Sequence, residues 1–299
     1  MARSVELSAA ARALLASLVD YAGLFPPAGL PMADAAAEYA RWRRAPESWL
    51  LGRFVVPAAR LDELLALLPE SAQPAGPWPL SALFGPDAAA DAARIAAFDA
   101  AAGGRARVDS VESKAGTPAE AAATLAHVPA GVHAYVELPL DGELEPLLSA
   151  LRARGARAKV RTGGLVPEAI PDPSRLARFV RVCATAGVPF KATAGLHHPL
   201  RSEHPLTYAQ DAPRATMHGF LNLFAAAALA RAGSAADLEA VLREERPSAF
   251  RLDDEGLAWR QERVTSAQLA ACRSGFAVSF GSCSFAEPVA DLRALGVIP

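Results

Sequence analysis

The chain has 299 residues, of which 52% are hydrophobic, and a formal net charge of −2. This charge gives no electrostatic footprint for nucleic acid, no long basic run indicates a membrane surface, and no apolar run is long enough to span a bilayer. Three cysteines without CxxC spacing argue against a disulfide framework or a structural zinc, so we expect a cytoplasmic protein with small-molecule partners.

Short β-branched or aromatic runs alternate with alanine-rich and leucine-rich runs of helical period along nearly the whole chain. This alternation is typical of repeated βα units and a parallel sheet. After an opening helix, the predicted strands are residues 19–25, 53–57, 80–84, 107–112, 132–138, 157–162, 188–194 and 276–281. The predicted helices are residues 7–18, 62–68, 87–102, 118–126, 142–152 and 173–186. Eight strands close a barrel, so the sequence predicts a single-domain α/β fold, a (β/α)8 TIM barrel with an N-terminal helix.

The connection before the last strand is much longer than the others and covers residues 197–263. It contains a proline-rich segment, the apolar helix MHGFLNLFAAAALA and a possible hairpin in FRLDDEGLAW. We expect a helical insertion and a candidate lid here, because long connections in compact domains are often functional. The apolar helix indicates a buried barrel helix or a contact in a homo-oligomer. If residues 250–254 instead form a barrel strand, residues 19–25 lie outside the barrel and the number of barrel strands remains eight.

Arginine outnumbers lysine 27 to 3, and Lys114, Lys159 and Lys191 all lie at or near the ends of predicted strands. A guanidinium keeps its proton, whereas an ε-amine can lose its proton and attack a carbonyl. In a parallel barrel the chemistry lies at the carboxyl ends of the strands. The lysines therefore suggest amine chemistry, although three surface or strand-end cations without chemistry remain an alternative.

Lys159 and Arg161 share one face of their strand, and neighbouring strands lie about 5 Å apart, so Lys191 on the next strand is expected to reach Lys159. Two cations about 5 Å apart at an effective dielectric of about 20 repel by roughly 3 kcal/mol. Such repulsion lowers the pKa of one lysine by about 2 pK units, which predicts some neutral amine at physiological pH. Glu137 and Asp109 are the natural ionic partners of these cations.

Two of these strands carry a recognisable pattern. KVRTGG places Thr162 and Gly163 three and four residues after Lys159, and FKATAGL places Lys191 ahead of a small-residue turn that ends at Gly195. In order and spacing they resemble the Schiff-base strand and the next strand of the 2-deoxyribose-5-phosphate aldolases, a family of class I αβ barrels.

Two further strands extend this resemblance. VDSV resembles the strand that bears the family's proton-relay aspartate, which here is Asp109. FGSCS resembles the final strand, where a glycine and serines hold the substrate phosphate, here Gly281, Ser282 and Ser284. The sequence departs from the family at three positions. Gly164 stands where the family has a lysine, Ala194 where it has a glycine, and Cys283 where it has a serine.

The resemblance covers roughly residues 17–195 and 276–295. It implies an aldolase-type lyase that makes or breaks a carbon–carbon bond of a small carbonyl substrate, with a lysine Schiff base and no metal or organic cofactor. Lys159 would be the nucleophile, beside Lys191, and protons would be relayed through water. The expected catalytic set is Lys159, Lys191, Asp109 and Glu137.

Arg161 adds a permanent cation to the presumed site, and the altered phosphate strand favours a substrate carboxylate clamped by Arg161 with His197 or His198. The backbone amides at the start of the last helix could also hold an anion. The residues expected to contact an anionic substrate are Arg161, Thr162, Gly163, Gly195, His197, Gly281, Ser282, Ser284, Glu112 and Lys114.

Strand parity leaves one conflict in the fourth predicted strand. Asp109 and Lys114 are five residues apart and face opposite sides of a regular strand, so only one points into the barrel unless a bulge intervenes. Glu112 shares the face of Lys114. The resemblance favours Asp109, with Lys114 curling over the barrel mouth.

Two other classes of function compete with this interpretation. His197 and His198, with Glu137, could form the metal site of a hydrolase or isomerase, although no HxH or HExxH spacing is present. A barrel that binds a small molecule without catalysis is the third class.

Overall fold

The structure is a computed structural model that describes residues 6–69 and 76–299. Within these residues eight parallel strands close a barrel, and five short strands lie outside it. The barrel strands are β1 Val19–Tyr21, β2 Leu51–Pro57, β3 Trp78–Leu83, β4 Ala106–Lys114, β5 His133–Glu137, β6 Arg157–Arg161, β7 Phe190–Thr193 and β13 Ala277–Ser282. Neighbouring strands follow chain order, and β13 closes the ring between β7 and β1. The predicted (β/α)8 TIM barrel is confirmed.

Helices surround the barrel, and the helices predicted between the strands are found with small changes at their ends. Thr117 caps one of them by accepting a hydrogen bond from the amide of Glu120, and Pro118 occupies its first position. No helix in the described part of the chain combines the length and apolar character needed to cross a membrane. The helices are α1 Ala9–Leu15, α2 Met32–Trp42, α3 Leu61–Leu65, α4 Ala88–Ala102, α5 Pro118–Leu125, α6 Glu145–Ala153, α7 Pro173–Ala186, α8 Phe220–Arg231, α9 Leu238–Arg243, α10 Ser266–Gly275 and α11 Ala286–Ala294.

The connection between β7 and β13 contains α8, α9 and two small antiparallel sheets. Residues 250–252 pair within the second of these sheets and not with the barrel, so the alternative that moves a barrel strand here is wrong and β1 is a barrel strand. The predicted hairpin is present as β10 and β11. The strands outside the barrel are β8 Ser202–Pro205, β9 Arg214–Met217, β10 Phe250–Leu252, β11 Gly256–Trp259 and β12 Glu262–Thr265.

Helix α8 is buried on every side. Each residue from Phe220 to Leu229 is buried, and the helix packs against α7, α9 and α10. A helix that is apolar all round needs such a surrounding, so the interpretation of a buried barrel helix is confirmed.

A buried arginine joins the start of the barrel to its end. Arg273 on α10 donates hydrogen bonds to the carbonyls of Leu14 at 2.6 Å, Ala16 at 3.0 Å and Ala277 at 2.6 Å, and also to that of Val278. Burial lowers the pKa of Arg273 to about 10. Because its partners lie on both sides of the β1–β13 seam, this side chain helps to close the ring.

Candidate active site

The strand register aligns four charged residues in one row across the barrel wall. Lys114 pairs with Glu137, Glu137 with Lys159, and Lys159 with Lys191, on β4, β5, β6 and β7 in turn. Lys159 and Lys191 are only 4% and 1% exposed, so both amines lie inside the barrel. Lys114 is 70% exposed at the mouth, where its Nζ lies 3.5 Å from Glu137.

Glu112 lies between the two buried amines. Its Oε1 is 2.8 Å from the Nζ of Lys191, and its Oε2 is 2.8 Å from the Nζ of Lys159. Lys191 also contacts Asp20 on β1 at 2.5 Å, and Lys159 contacts Glu137 at 3.0 Å. Three carboxylates therefore surround two amines, an arrangement that offsets the cost of burying each charge.

These carboxylates overturn one electrostatic expectation. Burial opposes the charge of Lys191, but Asp20 and Glu112 outweigh burial and raise the pKa of Lys191 above its ordinary value. Burial alone would raise the pKa of Glu112, yet Lys159 and Lys191 lower it. Burial would also raise the pKa of Glu137, but Lys159 and Arg161 outweigh burial and lower it. The expectation that repulsion lowers the pKa of one of the two lysines is wrong for Lys191, which is held as a cation.

A cavity of about 340 Å³ opens above this cluster at the carboxyl ends of the strands. Lys159 and Glu112 line its floor, whereas Lys191 is not among the lining residues. Lys159 is therefore the buried amine that a small molecule can reach. The wall is mainly apolar and includes Phe25, Pro26, Pro27, Val55, Leu83, Leu165, Leu206 and Met217.

Arg161 stands between this cavity and a second one of about 510 Å³, and it lines both. Its Nε donates to Glu137 at 3.1 Å. Within the described ranges, no ion pair or hydrogen bond to its two terminal nitrogens is found. Lys114 lines the second cavity, not the first. The end of the Arg161 fork is therefore free for a bidentate anion.

Asp109 lies away from the lysines. It forms a two-point ion pair with Arg53 of β2, at 2.5 Å from Nε and 3.1 Å from a terminal nitrogen. The pairing of β3 with β4 shifts between Val108 and Ser110, which leaves Asp109 in a bulge. This bulge removes the parity conflict with Lys114. The carboxylate that contacts both lysines is Glu112, and the proton-relay role of Asp109 remains a prediction.

Thr162, Gly163 and Gly195 have packing partners in the structure. The Thr162 hydroxyl donates to the carbonyl of Ala194 at 2.5 Å and is fully buried. Gly163 and Gly195 bring the loops after β6 and β7 into backbone contact, since a Cβ on Gly163 would lie 2.9 Å from the Cα of Gly195. Gly195 also lines the cavity and has φ +72°, which favours glycine.

Replacing Gly163 with alanine is therefore expected to destabilise the barrel by about 1–3 kcal/mol, because the new methyl group meets backbone that cannot move aside. Gly275 is a matched control, since a Cβ there meets nothing within 4 Å. Urea unfolding of both variants measures the difference. An unfolding midpoint for Gly163→Ala as high as that for Gly275→Ala would contradict the close packing.

The end of β13 is held by internal contacts. The Ser282 hydroxyl donates to the carbonyl of Ser284 at 2.7 Å, and Gly281 lines the cavity. His197 also lines the cavity, and its Nδ1 lies 3.0 Å from Glu287 and 3.3 Å from the Ser282 hydroxyl. These residues meet at one corner of the cavity, opposite β4 and β5 in the ring order.

The histidines do not converge with Glu137. His198 pairs through Nδ1 with Asp291 at 2.6 Å and stacks on His204 with a ring separation of 3.4 Å. Glu137 is bound instead to Lys159 and Arg161. Across residues 6–69 and 76–299, no group of three histidine, cysteine, aspartate or glutamate side chains has the arrangement to hold a metal ion.

The sequence reasoning missed Asp20 and Glu287. Asp20 is fully buried and contacts Lys191, the hydroxyl of Ser279 at 2.8 Å and the amide of Arg53 at 2.9 Å. A carboxylate within the apolar run LVDYAGLF was the available signal, because a buried acid needs partners.

No family model and no curated protein sequence matches this chain. The resemblance to the class I aldolases therefore rests on the four strand motifs alone, and the structure establishes the barrel that they share.

Proposed function

We propose that this chain is a class I aldolase-type lyase that makes or breaks a carbon–carbon bond through a Schiff base on Lys159. The observation that carries the proposal is that Lys159 lines a cavity while its amine contacts two ionised carboxylates. An imine-forming lysine must lose a proton and later receive one, and Glu112 and Glu137 lie within 3.0 Å for both transfers.

In this mechanism Lys159 transfers a proton to Glu137 or Glu112, attacks the substrate carbonyl and forms a carbinolamine. The protonated carboxyl returns its proton to the carbinolamine hydroxyl, which leaves as water and yields the protonated imine. A carboxylate then removes the proton from the substrate β-hydroxyl, and the bond between the α and β carbons breaks. The β carbon leaves in an aldehyde, the first product, and the electron pair of the broken bond forms an enamine on Lys159. Protonation of the enamine and hydrolysis of the imine release the second product and restore Lys159.

Lys191 has a separate role. It lies below the cavity floor and holds Glu112 through a 2.8 Å contact, with Asp20 on its other side. Because Asp20 and Glu112 keep Lys191 charged, it positions Glu112 and favours the ionised form of that carboxylate, which is the form that can accept a proton from Lys159. Asp109 remains the proposed relay that the family resemblance implies, acting through water.

The connection between β7 and β13 supplies a wall of the cavity. Leu206, just after β8, and Met217, at the end of β9, both line it. We propose that residues 197–263 act as a lid that keeps water from the imine, within a single domain.

An Arg161→Gln variant is expected to raise KM for a 2-oxo acid about 10- to 100-fold, because a hydrogen bond to a charged group is worth about 1.5–3 kcal/mol. Arg161 and Lys159 line the same cavity, which supports a carboxylate on the Arg161 terminal nitrogens while the carbonyl reacts at Lys159. Steady-state kinetics with the acid and with its methyl ketone analogue provide the check. The ketone should show little change, and full activity on the acid would eliminate the clamp.

Borohydride trapping tests the proposed reaction. The full chain is incubated with a panel of small aldehydes and 2-oxo acids, reduced, and mapped by peptide mass. The expected adduct is on Lys159. An absence of adducts on both Lys159 and Lys191 with every carbonyl would refute the lyase and favour a binding barrel.

A further inference from the structure

Two backbone amides after β13 already donate hydrogen bonds to side chains of the same segment. The amide of Ser284 donates to the hydroxyl of Ser282 at 3.3 Å, and the amide of Glu287 donates to the hydroxyl of Ser284 at 3.2 Å. Free amides at this position in a barrel commonly bind phosphate. Here two of the amides that would face such a group are already bonded within the chain.

A carboxylate of the chain occupies the same corner. Oε2 of Glu287, in the first turn of α11, lies 3.0 Å from His197 and 3.4 Å from the hydroxyl of Tyr208. Burial raises the pKa of Glu287, but His197 and His198 outweigh burial and lower it. Glu287 is therefore an anion at neutral pH, which places a negative charge where a phosphate would need positive partners.

The free space beside Glu287 is small. The cavity between Glu287 and the β8–β9 hairpin is about 30 Å³, and its lining includes His197, Leu206 and Tyr208. That volume suits a water molecule and not a phosphate group. The larger cavity shares His197, Leu206 and Met217 with this small one, and apolar side chains such as Phe25 form much of its wall.

We propose that Glu287 replaces a substrate phosphate, so that the site takes an unphosphorylated carbonyl compound whose far end is apolar. That the reacting group is a carbonyl rests on the proposed function. That phosphate is excluded rests only on the contacts around Glu287. Any negative charge on the substrate would then lie next to Arg161, which lines the same cavity.

Titration with inorganic phosphate tests the exclusion without any reaction. The ring resonances of His197, assigned with a His197→Asn variant, report on this corner because the ring contacts both Glu287 and Ser282. Wild type is expected to show no saturable shift, whereas Glu287→Gln should bind phosphate at least about tenfold more tightly, because a like-charge contact has been removed. Asp291→Asn, which removes the same charge one turn later on α11, should behave as wild type. Saturation of wild type at the same or lower phosphate concentration than Glu287→Gln would overturn the proposal.

Trapping with a matched pair tests the substrate class. Dihydroxyacetone and its monophosphate differ only in the phosphate, and borohydride adducts on Lys159 are counted for each. Wild type should trap the unphosphorylated compound at least about tenfold faster, and Glu287→Gln should reduce that ratio. Equal rates, or faster trapping of the phosphate ester, would overturn the proposal. If neither compound nor any other carbonyl forms an adduct, the lyase function fails, and the phosphate titration still decides whether Glu287 excludes phosphate.

Discussion

A Lys159→Arg variant is expected to form no borohydride-trapped adduct and to lose roughly 10⁴-fold or more of any lyase turnover. Arginine keeps the positive charge that Glu112 and Glu137 require, but a guanidinium does not lose its proton and cannot form the imine. The loss would therefore report on the amine and not on the charge. The measurement combines peptide mass mapping of the reduced adduct with turnover on the best carbonyl of the panel.

Lys114→Arg provides the matched control. Lys114 also contacts Glu137, at 3.5 Å, but its side chain is 70% exposed and it lines the other cavity. We expect this variant to retain trapping within about twofold, since exposed ion pairs contribute little. An adduct that persists in Lys159→Arg, or that disappears in Lys114→Arg, would show that the assignment of Lys159 as the nucleophile is wrong. Circular dichroism of both variants shows whether the barrel is intact.

The barrel could be predicted because short β-branched or aromatic runs alternate with alanine-rich or leucine-rich helices along the chain. The run FVV in β2 and the alanine-rich helix α4 show this pattern clearly. The uncertain strand was the first, with three residues, which competed with residues 250–254. Periodicity cannot separate two such short segments. Long-range pairing separates them, because β1 bonds to β2 and β13.

The site was only partly predictable. The scarcity of lysine singled out Lys159 and Lys191, and strand spacing placed them side by side. The carboxylates that raise the pKa of Lys191, Asp20 and Glu112, lie on strands that do not neighbour β7, and Asp20 is 171 positions from Lys191. One sequence contains no signal that joins such distant positions, so the electrostatic argument counted the cations and omitted Asp20. The β4 bulge was missed for a related reason, since bulges depend on the partner strand.

Replacing Lys191 with methionine is expected to destabilise the chain by about 3–5 kcal/mol, the cost of removing one partner from a buried ion cluster. Lys191 is 1% exposed, and its loss leaves Asp20 and Glu112 with less positive charge in a buried site. Methionine fills a similar volume, so the loss reflects charge more than a cavity. Urea unfolding at neutral pH measures the change.

The pH dependence of that loss separates charge from packing. Because the pKa of Lys191 is raised in the folded chain, its contribution is fully present below the ordinary lysine pKa of 10.5 and is lost as pH rises through the folded value. In the variant, Glu112 has lost one of the two lysines that lower its pKa, so it binds a proton more readily and the deficit should shrink as pH falls into the range where carboxylates titrate. Lys114→Met, which removes an exposed cation, should cost less than about 1 kcal/mol at any pH. A Lys191→Met deficit that stays constant from neutral to acid pH would show that packing, not charge, holds Lys191 in place.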